Sequence, residues 1–118
     1  MDKAVADLFE NILGTDKDLR TNSYLTLMEI TKQKVDWVYE VWDLLVESFQ
    51  HPNNHTRSIA GQLISNLAKS DDEGRIQRDF PKLLELTKDK MFVTARHVLM
   101  SIWKIGLTGE NNLQMVLG

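Results

Sequence analysis

Apolar positions return every three to four residues in almost every segment of the chain, and no stretch alternates residue by residue as a half-buried strand would. The pattern predicts helices joined by short polar turns. Ala4, Val5, Leu8, Phe9, Ile12 and Leu13 share one face of a helix from about Lys3 to Leu13, which Gly14-Thr15-Asp16 stops. Asp16 or Asp18 then caps a second helix carrying Leu19, Tyr24, Leu27, Met28 and Ile30. A third helix begins near Val35, with Val38, Val41, Trp42, Leu45 and Phe49 as its stripe. Trp37, Leu44 and Val46 widen that stripe until two sides need cover. His51-Pro52-Asn53-Asn54 ends it, and Asn53 or Asn54 caps a fourth helix that turns Ile59, Ala60, Leu63, Ile64, Leu67 and Ala68 inward.

Ser70-Asp71-Asp72-Glu73 has the form of a capping box, with Glu73 reaching back to the N–H of Ser70. The helical pattern after it holds Ile76, Phe80, Leu83, Leu84 and Leu86, and Pro81 inside the pattern predicts a kink or two shorter helices. From about Phe92 to Ile105 a further helix turns Ala95, Leu99, Ile102 and Trp103 inward, and Gly106 and Gly109 end it. Glu110 to Gly118, with Leu113, Met115, Val116 and Leu117, reads as a short cap or as the start of another repeat. The second is preferred, because terminal repeats normally turn a polar face outward.

A shared register links these helices. Arg20 stands with Ser23, Leu27 and Ile30; Arg57 with Ala60, Ile64 and Leu67; Arg96 with Leu99, Trp103 and Ile105 or Gly106, the arginines being 37 and 39 residues apart. Twelve residues upstream of them lie Leu8, Leu45 and Leu84, and sixteen upstream lie Ala4, Val41 and Phe80. The units run over about 3–32, 35–69 and 71–106 of a single domain, 1–118. Through His51-Pro52-Asn53-Asn54-His55-Thr56-Arg57-Ser58-Ile59-Ala60 the chain resembles the HEAT-repeat family, or more broadly the armadillo/HEAT-like α-solenoids. It departs from the family turn in having His51 for an acid and Thr56 for Val. The first unit lacks the turn proline, and the third offers Asp89 one place out of step.

The resemblance implies an all-α, right-handed solenoid of about three stacked helical hairpins, with the second helix of each pair on the concave surface. It also implies that Arg20, Arg57 and Arg96 tie helices to turns, with Asp16 and Asp18 available to Arg20 and Asp89 to Arg96. Stacking three hairpins would create a core that one hairpin cannot.

The net charge of −3, with signs mixed throughout, argues against nucleic acid as the main partner. Absence of cysteine removes disulfides, thiol catalysis and cysteine-ligated zinc. MDKAVADLFENILG lacks a basic segment followed by a long apolar one, and no apolar run approaches the roughly 20 residues of a membrane span, so a cytoplasmic location without membrane contact is expected. His51 and His55 are four apart but lack a third ligand. With no phosphate loop, nucleophile elbow or framed carboxylate pair either, the sequence calls for no enzyme and no cofactor.

Trp42 and Trp103 fall on core stripes, whereas Trp37, off the main stripe, has the weakest claim to burial. Asp36, Glu40, Asp43 and Glu47 share one helix face and read as its solvated side. The function expected is a non-catalytic scaffold that binds a protein or peptide on its concave surface through Asn22, Thr26, Glu29, Gln62, Asn66, Lys69, His97, Met100 and Lys104. The alternative is a DNA-binding, alkylation-repair HEAT-like protein.

Overall fold

The computed structural model covers residues 1–118 and contains helices only: α1 (Lys3–Leu13), α2 (Lys17–Ile30), α3 (Val38–Glu47), α4 (Asn54–Leu67), α5 (Arg75–Leu86), α6 (Phe92–Ser101), α7 (Trp103–Gly106) and α8 (Glu110–Leu117). Short 3-10 turns extend α3 through Gln50 and α4 through Ser70. The molecule measures 38 × 33 × 20 Å, and its smallest dimension is that of two stacked helices.

Helix starts follow from side-chain acceptors. Asp2 accepts the Val5 N–H, Asp16 those of Asp18 and Leu19, and Asn53 those of His55 and Thr56. The expected capping box does not form. Ser70 Oγ instead accepts the N–H of Val35 at 2.9 Å, and Asp71 caps α5 from a distance by accepting the Arg75 and Ile76 N–H groups. Gly74, in the left-handed region at φ 73°, carries the chain between them. Tyr39 locks this turn onto α3, donating to Asp71 at 2.6 Å and accepting from the Glu73 N–H, and burial together with the bond to Asp71 pushes its phenol up to about 12. Pro81 does not divide α5, which runs unbroken from Arg75 to Leu86.

Helix α4 sits at the centre, touching α1, α2, α3, α5, α6 and α7, and every residue from Thr56 to Ala68 is buried. Half of those side chains are polar, so each needs a partner. Thr56 donates to the Ile12 carbonyl, Ser65 to that of Gly61, and Asn66 to Thr31 Oγ1 at 3.0 Å while accepting from Lys104. Arg57 makes a two-pronged ion pair with Asp89 (2.7 and 3.0 Å) and donates to the carbonyls of His51 and Pro52. A second buried carboxylate, Asp79, takes the indole N–H of Trp42 at 2.8 Å and ion pairs from Arg78 and Lys82. Burial pushes Asp79 up, but these donors outweigh it and hold it below the usual carboxylate value.

The third unit is one residue out of the expected register. The N–H of Arg20 bonds the carbonyl of its cap Asp16, and that of Arg57 the carbonyl of its cap Asn53; the matching bond to Met91 comes from Ala95. One residue is a 100° turn of the helix, so Arg96 points to solvent without an ion pair, and Asp89 pairs with Arg57 rather than Arg96. The same step buries Leu83 and exposes Leu84, and it buries Thr94, Val98 and Ile105 while Leu99 and Trp103 stand 62% and 57% exposed. Trp37, by contrast, is buried, edge-on to Phe9 with ring centres 5.5 Å apart.

The contact that selects this register is at Gly61. A Cβ there would lie 2.8 and 3.3 Å from the Val98 methyls and 3.0 Å from Leu86. Val98 is a stiff, fully buried neighbour. Gly61→Ala should therefore destabilise the fold by about 1–3 kcal/mol despite the better helix propensity of alanine, read as a lower urea midpoint at unchanged slope. Asp89, held below the usual carboxylate range chiefly by its bonds to Arg57, stabilises the fold fully above the unfolded value of about 3.9, and the contribution is lost as pH falls through the lower folded value. Asp89→Asn should cost about 3 kcal/mol at neutral pH. It should also flatten the acid limb of the stability curve, leaving the part due to Asp79.

Candidate functional site

Helices α2 and α6 flank α4 and rise above it. Along the sunken strip between them only His55, in the first turn of α4, and Lys69, just beyond its last turn, are exposed. A cleft opens at each end.

The larger cleft, about 600 Å³, lies at the C-terminal end of α4. The ammonium-bearing side chains of Lys32, Lys34, Lys69 and Lys104 line it with Trp103 and Leu107. Asp71 and Asp72 also border it, but the Asp71 carboxylate is occupied by Tyr39 and the α5 N–H groups. Lys69 is anchored by donating to the Lys32 carbonyl, and Lys104 by donating to Asn66 Oδ1 at 3.0 Å. Burial, followed by repulsion from Lys69 and Lys32, lowers the Lys104 pKa. Asn112 at the rim donates to Thr108, while its own Oδ1 is the one buried side-chain polar atom in the molecule with no partner. From the Trp103 and Leu107 wall of the cleft, an apolar stripe continues along α6 through Phe92, Leu99 and Met100, each of the five more than half exposed.

The smaller cleft, about 190 Å³, lies at the N-terminal end of α4, between α2 and α6. Lys17, Arg20, Tyr24, His55, Ser58 and His97 line it, with Thr21, Ile59 and Gln62 completing the wall and no carboxylate among them. Tyr24 donates to Gln62 at 2.7 Å, Gln62 to Ser58 Oγ at 3.0 Å, and Ser58 Oγ lies 3.4 Å from His97 Nδ1.

The residues expected on a concave face therefore separate. Lys69, Lys104 and Asn66 meet at the larger cleft, and His97 and Gln62 at the smaller. Gln62 and Asn66 are buried and occupied in bonds across the helix row rather than exposed, because α4 is sunk. Asn22, Thr26 and Glu29 are exposed on α2 but border neither cleft, and Met100 lies on the apolar stripe. Sequence reasoning overlooked Lys32 and Lys34, and it read Arg20 as a tie between helix and turn. A signal was present: Lys32 and Lys69 are 37 residues apart, the spacing of Arg20 and Arg57.

No three His, Asp or Glu side chains converge to hold a metal ion. No helix is long and apolar enough to cross a membrane. No family model, curated protein or solved structure matches the chain. What the larger cleft offers is lysine ammonium groups beside the apolar surface of Trp103 and Leu107. Lys69→Gln should raise the Lys104 pKa toward the ordinary lysine value, observed by NMR titration of the side-chain carbons; an unmoved value would assign the depression to burial and Lys32.

Proposed function

We propose that the chain is a non-catalytic, HEAT-like helical-repeat module that binds an acidic segment of another protein, seating carboxylates among Lys32, Lys34, Lys69 and Lys104 and apolar side chains on Trp103 and Leu107. The solenoid reading is supported by the recurrence of one register, with Arg20, Arg57 and Ala95 each four residues past a helix cap, and by the lateral order of α2, α4 and α6. The observation that carries the function is the concentration of four lysines at one cleft in a chain whose net charge is −3. Positive charges gathered against the overall balance repel one another, and an anionic partner relieves that repulsion.

A peptide fits better than a nucleic-acid backbone. Its apolar side chains cover Trp103 and Leu107 beside the lysines, and a phosphodiester offers none. An exposed Trp next to cations is also the usual composition of an interface anchor.

A fluorescent peptide rich in Asp and Glu and carrying Leu and Phe should bind in low salt, shift Trp103 emission, and weaken as salt is raised. The double variant Lys34→Glu with Lys69→Glu should lose about tenfold or more in affinity, about 1.4 kcal/mol. Equal binding by wild type and variant, or tighter binding of duplex DNA than of the peptide, would overturn the reading.

A further inference from the structure

The same register arginine meets two different fates. Arg57 satisfies its guanidinium with Asp89, 32 residues further along, and with two carbonyls of its own turn. Arg20 occupies the equivalent position, four residues past its cap, and 32 residues beyond it stands Pro52, which has no acid to offer. Arg20 is 7% exposed, yet no carboxylate lies within 4 Å and it makes no hydrogen bond through its side chain. Its nitrogens are nevertheless not sealed off, since Asn112 Oδ1 is the only buried side-chain polar atom without a partner. What they reach is the smaller cleft, which Arg20 lines.

A guanidinium that opens only into a cleft and meets no counter-charge leaves its donors to whatever enters. The surroundings add to the excess instead of balancing it. Lys17 contributes a second permanent cation, His55 and His97 contribute ring nitrogens, and Tyr24 and Ser58 contribute hydroxyls, with no Asp or Glu on the wall. A single carboxylate would be saturated by the guanidinium fork alone. The number and spread of donors match a tetrahedral group with several acceptor oxygens, and about 190 Å³ is room for such a group.

We propose that this cleft is a binding site for one phosphate-sized oxyanion, either free phosphate or the phosphate monoester of a modified partner chain. Arg20 supplies the fork, Lys17 the second cation, and His97 and Ser58 the flanking hydrogen bonds. The site is separate from the lysine cleft and does not require the acidic-segment reading to hold.

The test is an amide and side-chain NMR titration of the full chain at constant ionic strength, with inorganic phosphate in one arm and a phosphoserine peptide in the other. Saturable shifts at Arg20 Nε–H, Tyr24, Ser58 and His97 are expected. Phosphate binding no weaker than the phosphopeptide identifies the free anion as ligand, and tighter peptide binding identifies the monoester. Arg20→Gln should weaken binding by about tenfold or more. Because Arg20 is buried, the exposed pair Lys17→Ala with His97→Ala provides a second reading on a fold it leaves intact, and it should weaken binding to a similar degree. Absence of saturable shifts, shifts confined to Lys32, Lys69 and Lys104, or unaltered affinity in the double variant would overturn the proposal.

Discussion

Everything in this molecule is arranged around a helix that is buried on all sides although half of its buried residues are polar. A surface helix with the composition of α4 would turn Thr56, Ser58, Gln62, Ser65 and Asn66 to water. Here each is paired, to Ile12, Tyr24, Thr31, Lys104 or the helix itself, and the pairs between helices tie α1, α2 and α7 to α4. Individually such bonds contribute about 1 kcal/mol net, but a missing partner costs more than a present one contributes. The constraint is thus one of specificity: α2 and α6 can flank α4 only where their own polar groups meet its own.

That constraint also shapes the surface. Because α4 is sunk between its neighbours, the row of α2, α4 and α6 is not one open face. It is a strip closed in the middle by Tyr24 and Gln62 and open at the ends, where cations collect. The contrast between Arg57 and Arg20 shows how one repeated residue serves two ends. With Asp89 in reach Arg57 ties α4 to the turn before α6, and Arg20, without an acid, faces a cavity.

Much of the architecture is legible in periodicity. The bounds of α1, the caps at Asp16 and Asn53, and the core of α3 follow from apolar spacing and cap chemistry. What periodicity misplaces is the rotation of α6. Phe92, Val93, Val98, Leu99, Met100, Ile102 and Trp103 surround that helix, so no single stripe stands out. The choice of Val98 over Leu99 is made by a missing side chain, Gly61 on another helix, and pattern along one segment cannot register that. The capping box fails for a related reason, since Val35 claims Ser70 across 35 residues. The site is less legible than the fold. Lys69, Lys104 and His97 are found by their place on second helices, but a cleft is made by neighbours distant in sequence, and the unpaired state of Arg20 depends on what Pro52 is not.

The most direct test of the central role of α4 is native-state amide hydrogen exchange. If its burial organises the units, the amides from Ile59 to Leu67 should open only with global unfolding, at the highest exchange free energy in the chain and above those of α2 and α6. Exchange of these amides at a lower free energy than either flanking helix would contradict the account, since it would mean that the units hold together without the helix between them.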